Sequence, residues 1–371
     1  MKKAKLKLGS MDFVLFSVIL LLVAIGVVMV FDASTYNTGH GENPDYIFYL
    51  KKQLQWVVIG TIAMIWIQKI DYHKFKKYTA HIMILTTILL FAVFAFPAIK
   101  GAKRWISLGF ASFQPSEIAK YAVVIFMAKS MEIKGERVKK FTEGILPYIL
   151  VSSFYAGLIL KEKNLSIASV VMFVTVIMMF CSGAKISQLL VLLPPLGLVV
   201  AYFIKSEPYR LLRFVSFLDP FKDKQTSGYQ LVQSLLALGS GGLFGVGFGQ
   251  SRQKVGYLPE PQTDFIFAVI GEELGLIGCI ILIILFLILI WRGIQISMKA
   301  KDVYGNLLAI GITSVIAIQA IINIAVVTGS MPVTGVPLPF ISYGGSSLLF
   351  NMMAMGVLLN ISRQSNNENK F

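Results

Sequence analysis

The residues able to do chemistry in this chain sit at the edges of apolar runs. Residues 257–267 read Tyr257-Leu-Pro-Glu-Pro-Gln-Thr-Asp-Phe-Ile-Phe, which places Asp264 where a helix should begin. Pro259 and Pro261 fix the approach, and Thr263 or Asp264 can cap the exposed amides. A cap is one reading of Asp264. The other is a general base, because a helix N-terminus keeps a carboxylate ionised at an aqueous boundary. The two roles are compatible. Glu272 and Glu273 follow roughly 12 Å deeper along the helix. Charges at that depth must face the bundle interior or be paired, and pairing is favoured over catalysis. Gly271, Gly275 and Gly278 supply a small-residue face on which a neighbouring helix can approach closely.

A second group precedes it. Gln114-Pro-Ser-Glu-Ile-Ala-Lys starts a helix at Pro115 and puts Glu117 and Lys120 three apart on one face. They read either as a structural ion pair or as a cation, Lys120, placed for an anionic substrate. Upstream, Lys100-Gly-Ala-Lys-Arg-Trp supplies Lys103, Arg104 and Trp105. Arginine grips phosphate bidentately, and basic and aromatic residues also anchor membrane interfaces. The stretch Met331 to Ser347 is rich in Pro and Gly and carries no charge. It cannot be a plain helix, so its backbone must be buried in protein or line a cavity. Ser342, Gly344, Gly345 and Ser346 lead from it into the last helix, where free amides can receive an anion or simply form a turn and cap. The glycine-rich piece 239–249 holds no Walker motif and reads as a loop or re-entrant element.

The elements that must position these groups are membrane helices. Of 371 residues 56% are hydrophobic and only 14% charged, too little polar surface to coat a soluble globule. Long uncharged runs such as Ile82 to Phe96 exclude an outer-membrane barrel. The expectation is an all-α, polytopic membrane protein with about ten transmembrane helices. Their spans fall near 11–31, 53–69, 79–97, 115–131, 143–160, 164–183, 186–204, 264–291, 306–328 and 346–361. The first run is long enough to span and ends in no small-x-small cleavage pattern, so it stays as a helix. Basic clusters at Lys69–Lys77, Lys134–Lys140 and Arg292–Lys301 orient the chain N-in and C-in. The chain reads as one integral membrane domain over 1–371, with a large extracytoplasmic loop, about 205–263, between helices 7 and 8 and a polar cytoplasmic tail, about 363–371. A loop that long in so economical a chain is usually functional.

The net charge of +15 lies in clusters between apolar runs, which fits membrane orientation rather than nucleic acid. Cys181 and Cys279 fall in apolar runs and His40, His73 and His81 are scattered, so neither a disulfide framework nor a metal site is expected. No Asp-x-Asp pair suggests a metal-clamped nucleotide-sugar donor.

The runs KGAKRW at 100–105, QPSE at 114–117, GQSRQKVGYLPEPQTDFIFAVIGEELGLIG at 249–278 and PVTGVPLPFISYGGSS at 332–347 resemble the SEDS proteins of bacterial shape, elongation, division and sporulation. The wording is more similar to the FtsW and SpoVE branch than to RodA. The resemblance covers the whole chain and implies a multi-pass protein of the bacterial cytoplasmic membrane. It implies a peptidoglycan glycosyltransferase that joins lipid II through a β-1,4 bond to a nascent glycan strand and releases undecaprenyl pyrophosphate. The family's essential aspartate falls on Asp264, its KGxxRW arginine on Arg104, and its fourth-helix pair on Glu117 and Lys120. The family's P-D-x-G-T-like stretch reads Lys161-Glu-Lys-Asn-Leu-Ser-Ile here, with Asn164 where Asp is common, and that loop is assigned no catalytic role.

The chemistry this implies is an inverting transfer with Asp264 as base and with Arg104 and Lys120 stabilising the leaving pyrophosphate. No cofactor is identified, although a divalent cation (Mg or Mn) could assist on phosphate grounds. The implied partners are a class B penicillin-binding protein, a transpeptidase, and other division or sporulation membrane proteins. Two rival readings are a lipid II flippase and a non-catalytic scaffold that recruits a transpeptidase.

Overall fold

The computed structural model describes residues 9–39, 46–99, 101–107, 109, 112–192, 194, 197–198, 201–202, 205, 208–222 and 228–365. Helices dominate them. The long elements are α1 (Phe13–Gly39), α2 (Phe48–Ile67), α3 (His73–Ala92), α4 (Pro115–Lys134), α5 (Leu146–Lys161) and α6 (Leu165–Cys181). A short α7 (Ile186–Val191) is followed by α8 (Pro208–Leu218), α9 (Tyr229–Gly241), α10 (Ile266–Met298), α11 (Val303–Val327) and α12 (Gly345–Ser365). Among the described residues, six helical stretches are long and apolar enough to cross a membrane: Phe13–Thr35, His73–Ala95, Phe141–Lys161, Ile266–Met298, Val303–Val327 and Gly345–Ser365. Large apolar side chains such as Val58, Ile62 and Trp66 on α2, or Ile84 and Ile88 on α3, point outward from the bundle. That is how a helix surface looks when its solvent is hydrocarbon.

Small residues set the helix contacts. α2 and α12 run side by side in the same direction, with a stripe at helical spacing facing α12. Tyr49 meets Tyr343 edge-on at 4.8 Å between ring centroids, Trp56 packs on Gly345, Gly60 on Met352, and Met64 on Gly356. The central helix α11 receives Val124 of α4 and Met178 of α6 at Gly311, and its Thr313 fills the space over Gly293 of α10. A Cβ at either glycine would collide with these neighbours, so glycine is what permits the close approach.

The structure refines two expectations. The stretch expected as one long loop, about 205–263, contains α8 and α9, and α9 packs on α10 through Gly241 against the Gly271 carbonyl. The span expected at 264–291 is broken, because Gly275 adopts φ +66 and ψ −166 within α10. The break frees main-chain groups that the segment 242–247 then satisfies. Val246 N donates to Glu272 O at 2.9 Å, Gly247 N to Glu273 O at 3.1 Å, and Leu276 N to Gly242 O at 2.9 Å. The glycine-rich piece is thus a helix end and a loop inserted into a broken helix, and the loop pairs the main-chain groups that the break frees.

Candidate active site at the loop end of the bundle

Three loops converge where α5, α10 and α12 begin or end, and each is built on strained backbone. Among the described residues the non-glycine positions with left-handed φ are Lys163 (+60), Glu260 (+52) and Phe340 (+66), one in each loop. Such conformations persist only where surroundings over-determine them, and they cluster at functional sites.

Asp264 is carried by main chain that is fastened residue by residue. The Gln262 carbonyl accepts from Tyr343 N at 2.8 Å. The Thr263 carbonyl accepts from Ser342 Oγ at 2.6 Å, and the Asp264 carbonyl from Asn323 Nδ2 at 2.8 Å. Asn323 Nδ2 also reaches Val336 O at 2.8 Å, tying α11 to the same loop. The half-buried carboxylate lies against Gly335, where a Cβ would come within 3.2 Å of Oδ2. The helix itself starts at Ile266 with Phe265 as N-cap and no side-chain cap. Thr263 does not serve as that cap, its Oγ donating instead to Glu260 O at 3.0 Å.

Arg104 sits just before a two-stranded hairpin, β1 (Ile106–Ser107) with β2 (Ser112–Phe113), which pairs Ile106 with Phe113 and leads directly into α4. Its Nε donates to Glu162 O at 3.1 Å and its Nη2 donates to Lys163 O. Lys103 Nζ donates to Phe94 O at 2.8 Å, and Trp105 is half-buried. The 161–167 stretch, assigned no catalytic role from sequence, thereby becomes the mount of Arg104. Asn164 caps α6 by accepting from Ile167 N at 3.2 Å, and Ser166 Oγ donates to Thr334 O in the loop that holds Asp264. Arg104 and Asp264 are linked through this chain of main-chain contacts.

Glu117 and Lys120 form an interior ion pair at 2.8 Å, their side chains 2% and 0% exposed. Beside them Tyr121 donates to Asn351 Oδ1 of α12 at 2.7 Å. Both partners are removed from solvent, which agrees with the structural-pair reading. Ser342 engages its hydroxyl in both directions, accepting from Leu338 N at 2.8 Å while donating to Thr263 O. Gly344 and Gly345 open α12 under the indole of Trp56, whose Nε1 would lie 2.1 Å from a Cβ on Gly345. Ser346 is buried with its hydroxyl unpartnered among the described residues.

A second polar centre lies one step deeper. Lys254 Nζ bonds Asp32 at 2.7 Å and Glu273 at 2.6 Å. Glu273 also accepts from Gly249 N and Ser251 N, both at 3.1 Å. Glu272 accepts from Arg252 N at 3.0 Å, from Gln253 N at 3.3 Å and from Ser251 Oγ at 2.5 Å. The expected structural pairing of the two glutamates holds, and their partners are the loop before Asp264 and the end of α1. Sequence reading missed Asp32, although a carboxylate ending an apolar run is itself a signal. Nothing in the sequence pattern marked Asn323 or Gly335.

Known proteins match along nearly the whole chain. Stage V sporulation protein E of Bacillus subtilis (strain 168) is 44% identical over 366 residues, covering 97% of this chain and 99% of that protein. A probable peptidoglycan glycosyltransferase FtsW of Geobacter sp. (strain M18) is 40% identical over 359 residues, 95% of this chain and 96% of that protein. A chain solved in work on the structural coordination of polymerization and crosslinking by a peptidoglycan synthase complex superposes with a TM-score of 0.80 at 27% identity, covering 97% of this chain and 99% of that one. RodA of Thermus thermophilus superposes with a TM-score of 0.71 at 26% identity, covering 95% and 97%. The family model described as Cell cycle protein matches residues 12–367, and the chain therefore belongs to the FtsW/RodA/SpoVE family.

Proposed function

We propose that this protein is a peptidoglycan glycosyltransferase that polymerises lipid II at the loop end of its bundle, with Asp264 as general base. The observation that carries the mechanism is a half-buried carboxylate on main chain fastened at three successive carbonyls, mounted on the same loop system as Arg104. Pre-organisation of this kind is what a proton-abstracting group needs. Asp264 takes the proton of the acceptor sugar's hydroxyl as that oxygen attacks the anomeric carbon. The bond from the anomeric carbon to the pyrophosphate oxygen breaks with its electron pair on the leaving group. The α-linked donor becomes a β-glycoside. Arg104, aimed by two main-chain carbonyls, stabilises the charge growing on undecaprenyl pyrophosphate. Lys120 adds its field from the interior, largely neutralised by Glu117. Trp105, Ser346 and the amides of Gly344 and Gly345 border the substrate, while Ser342 holds the loop.

The chain spans the cytoplasmic membrane about ten times, N-in and C-in, so the three loops face outward where lipid II is presented. An apolar cavity of about 170 Å³ between α2, α3, α4, α11 and α12, lined by Phe75, Ile82, Ile125, Ile312 and Phe350 among others, suits a polyprenyl chain. The described residues include no group of three or more His, Cys, Asp or Glu able to hold a metal. A divalent cation that assists would be held by the substrate's own phosphates. A class B penicillin-binding protein crosslinks the strand as it emerges.

The test is polymerisation of lipid II by purified protein with its cognate transpeptidase, wild type against a folded Asp264→Asn variant. Long glycan strands from wild type alone support the base. Equal product from both removes Asp264 from that role. Translocation of lipid II without polymer would favour a flippase, and neither activity a scaffold.

A further inference from the structure

Glu162 is a carboxylic acid in an unusual place. It follows directly on α5 and is 0% exposed, and neither carboxyl oxygen makes a hydrogen bond of ordinary geometry among the described residues, the Ser116 hydroxyl being a weak neighbour. Its main-chain carbonyl is one of the two that hold Arg104, and the other belongs to Lys163, whose backbone is in the left-handed region. The charged and titratable groups around it are few. Arg104 faces it from the segment before β1 and Ser116, a neutral hydroxyl, from α4, while Glu117 and Lys120, which follow Ser116 on α4, are locked to each other. Lys161 and Lys163 on its own segment are exposed.

We infer that Glu162 is a positioning residue that must stay protonated: neutral, it leaves Arg104 on the two main-chain carbonyls with its charge directed at pyrophosphate, and ionised, it captures the guanidinium. This rests on the role of Arg104 proposed above. A buried carboxyl this poorly bonded holds its proton, because the charged form has lost more in hydration than its weak neighbours return. Burial pushes Glu162 up to about 8, against the lowering pull of the Ser116 hydroxyl and the Arg104 charge. Once the proton leaves, a bare carboxylate beside a guanidinium in a dry site forms the strongest available contact, a bidentate ion pair. The cation that should meet pyrophosphate is then neutralised. By linkage, bound pyrophosphate beside Arg104 keeps the proton on Glu162, so occupied enzyme resists alkaline inactivation better than empty enzyme. Glutamine at this position imitates the active, neutral form.

The experiment is polymerisation of lipid II by the complex with its transpeptidase at pH 7 and pH 9, each protein compared with itself. At pH 9, one unit above that value of about 8, about a tenth of Glu162 keeps its proton. Wild type should lose about tenfold in kcat/KM, mostly through KM, and Glu162→Gln less than about twofold. Ser116→Ala, which removes a contact that favours the carboxylate, should move the alkaline limb to higher pH and serves if the glutamine variant does not fold. An identical pH ratio for wild type and Glu162→Gln overturns the inference, as does a limb unmoved in Ser116→Ala. Product at pH 7 from wild type shows the glycosyltransferase reading intact in either case, whereas no product at any pH would mean that reading had failed instead.

Discussion

The carboxylate of Asp264 rests on the α-carbon of Gly335, with room for a hydrogen atom and for nothing larger at its ease. A methyl group there would lie 3.2 Å from Oδ2, and Gly335 has a φ of +79 besides. Gly335→Ala should therefore push the carboxylate aside and strain the loop. The expected outcome is a loss of about 10- to 100-fold in kcat for strand synthesis with a fall in Tm of only a few degrees, since a left-handed alanine costs about 1 kcal/mol. Polymerisation assays beside thermal unfolding in detergent would check this.

Arg104 differs from a generic cation because two successive carbonyls define its plane. Lysine keeps the charge and loses the fork, so Arg104→Lys should lower kcat/KM by about tenfold or more while leaving expression and partner binding unchanged. Full activity in the lysine variant would show that charge alone suffices.

The deeper network makes a different demand. Lys254→Met would leave Asp32 and Glu273 facing each other in the interior without their shared cation. Breaking such a buried arrangement costs about 3–5 kcal/mol. A large drop in Tm is expected, partly restored when Asp32→Asn removes one of the stranded charges. The double-mutant cycle measures the coupling.

Glu162 should also make stability depend on pH. Its ordinary value is 4.5 and burial raises it to about 8. Between those values the folded chain keeps a proton that the unfolded chain has lost. This contribution is thus complete below about 4.5, declines as pH rises through the window, and is gone above about 8. Tm should fall by several degrees from pH 5 to pH 8 in wild type, and Glu162→Gln should flatten that slope.

The helical class of fold and the residues of the proposed site were legible in the sequence, since hydrocarbon as solvent demands apolar helices and makes every buried charge conspicuous. That reasoning singled out Asp264 and Arg104 as candidates and anticipated the Glu117–Lys120 pair and the structural use of Glu272 and Glu273. It did not show α8 and α9 within the stretch after α7, because both are too short to read as spans. It also drew α10 as continuous, because only a partner segment, 242–247, makes a break at Gly275 affordable to the backbone.

Which residue touches which was decided by tertiary structure alone. The contact of Gly335 with Asp264, the mounting of Arg104 on the carbonyls of Glu162 and Lys163, and the convergence of Asp32 with Lys254 join segments up to 222 positions apart. Local pattern records the polarity of a side chain and its face on a helix. It holds no record of a main-chain carbonyl waiting across a loop, and at this site main-chain groups do most of the positioning.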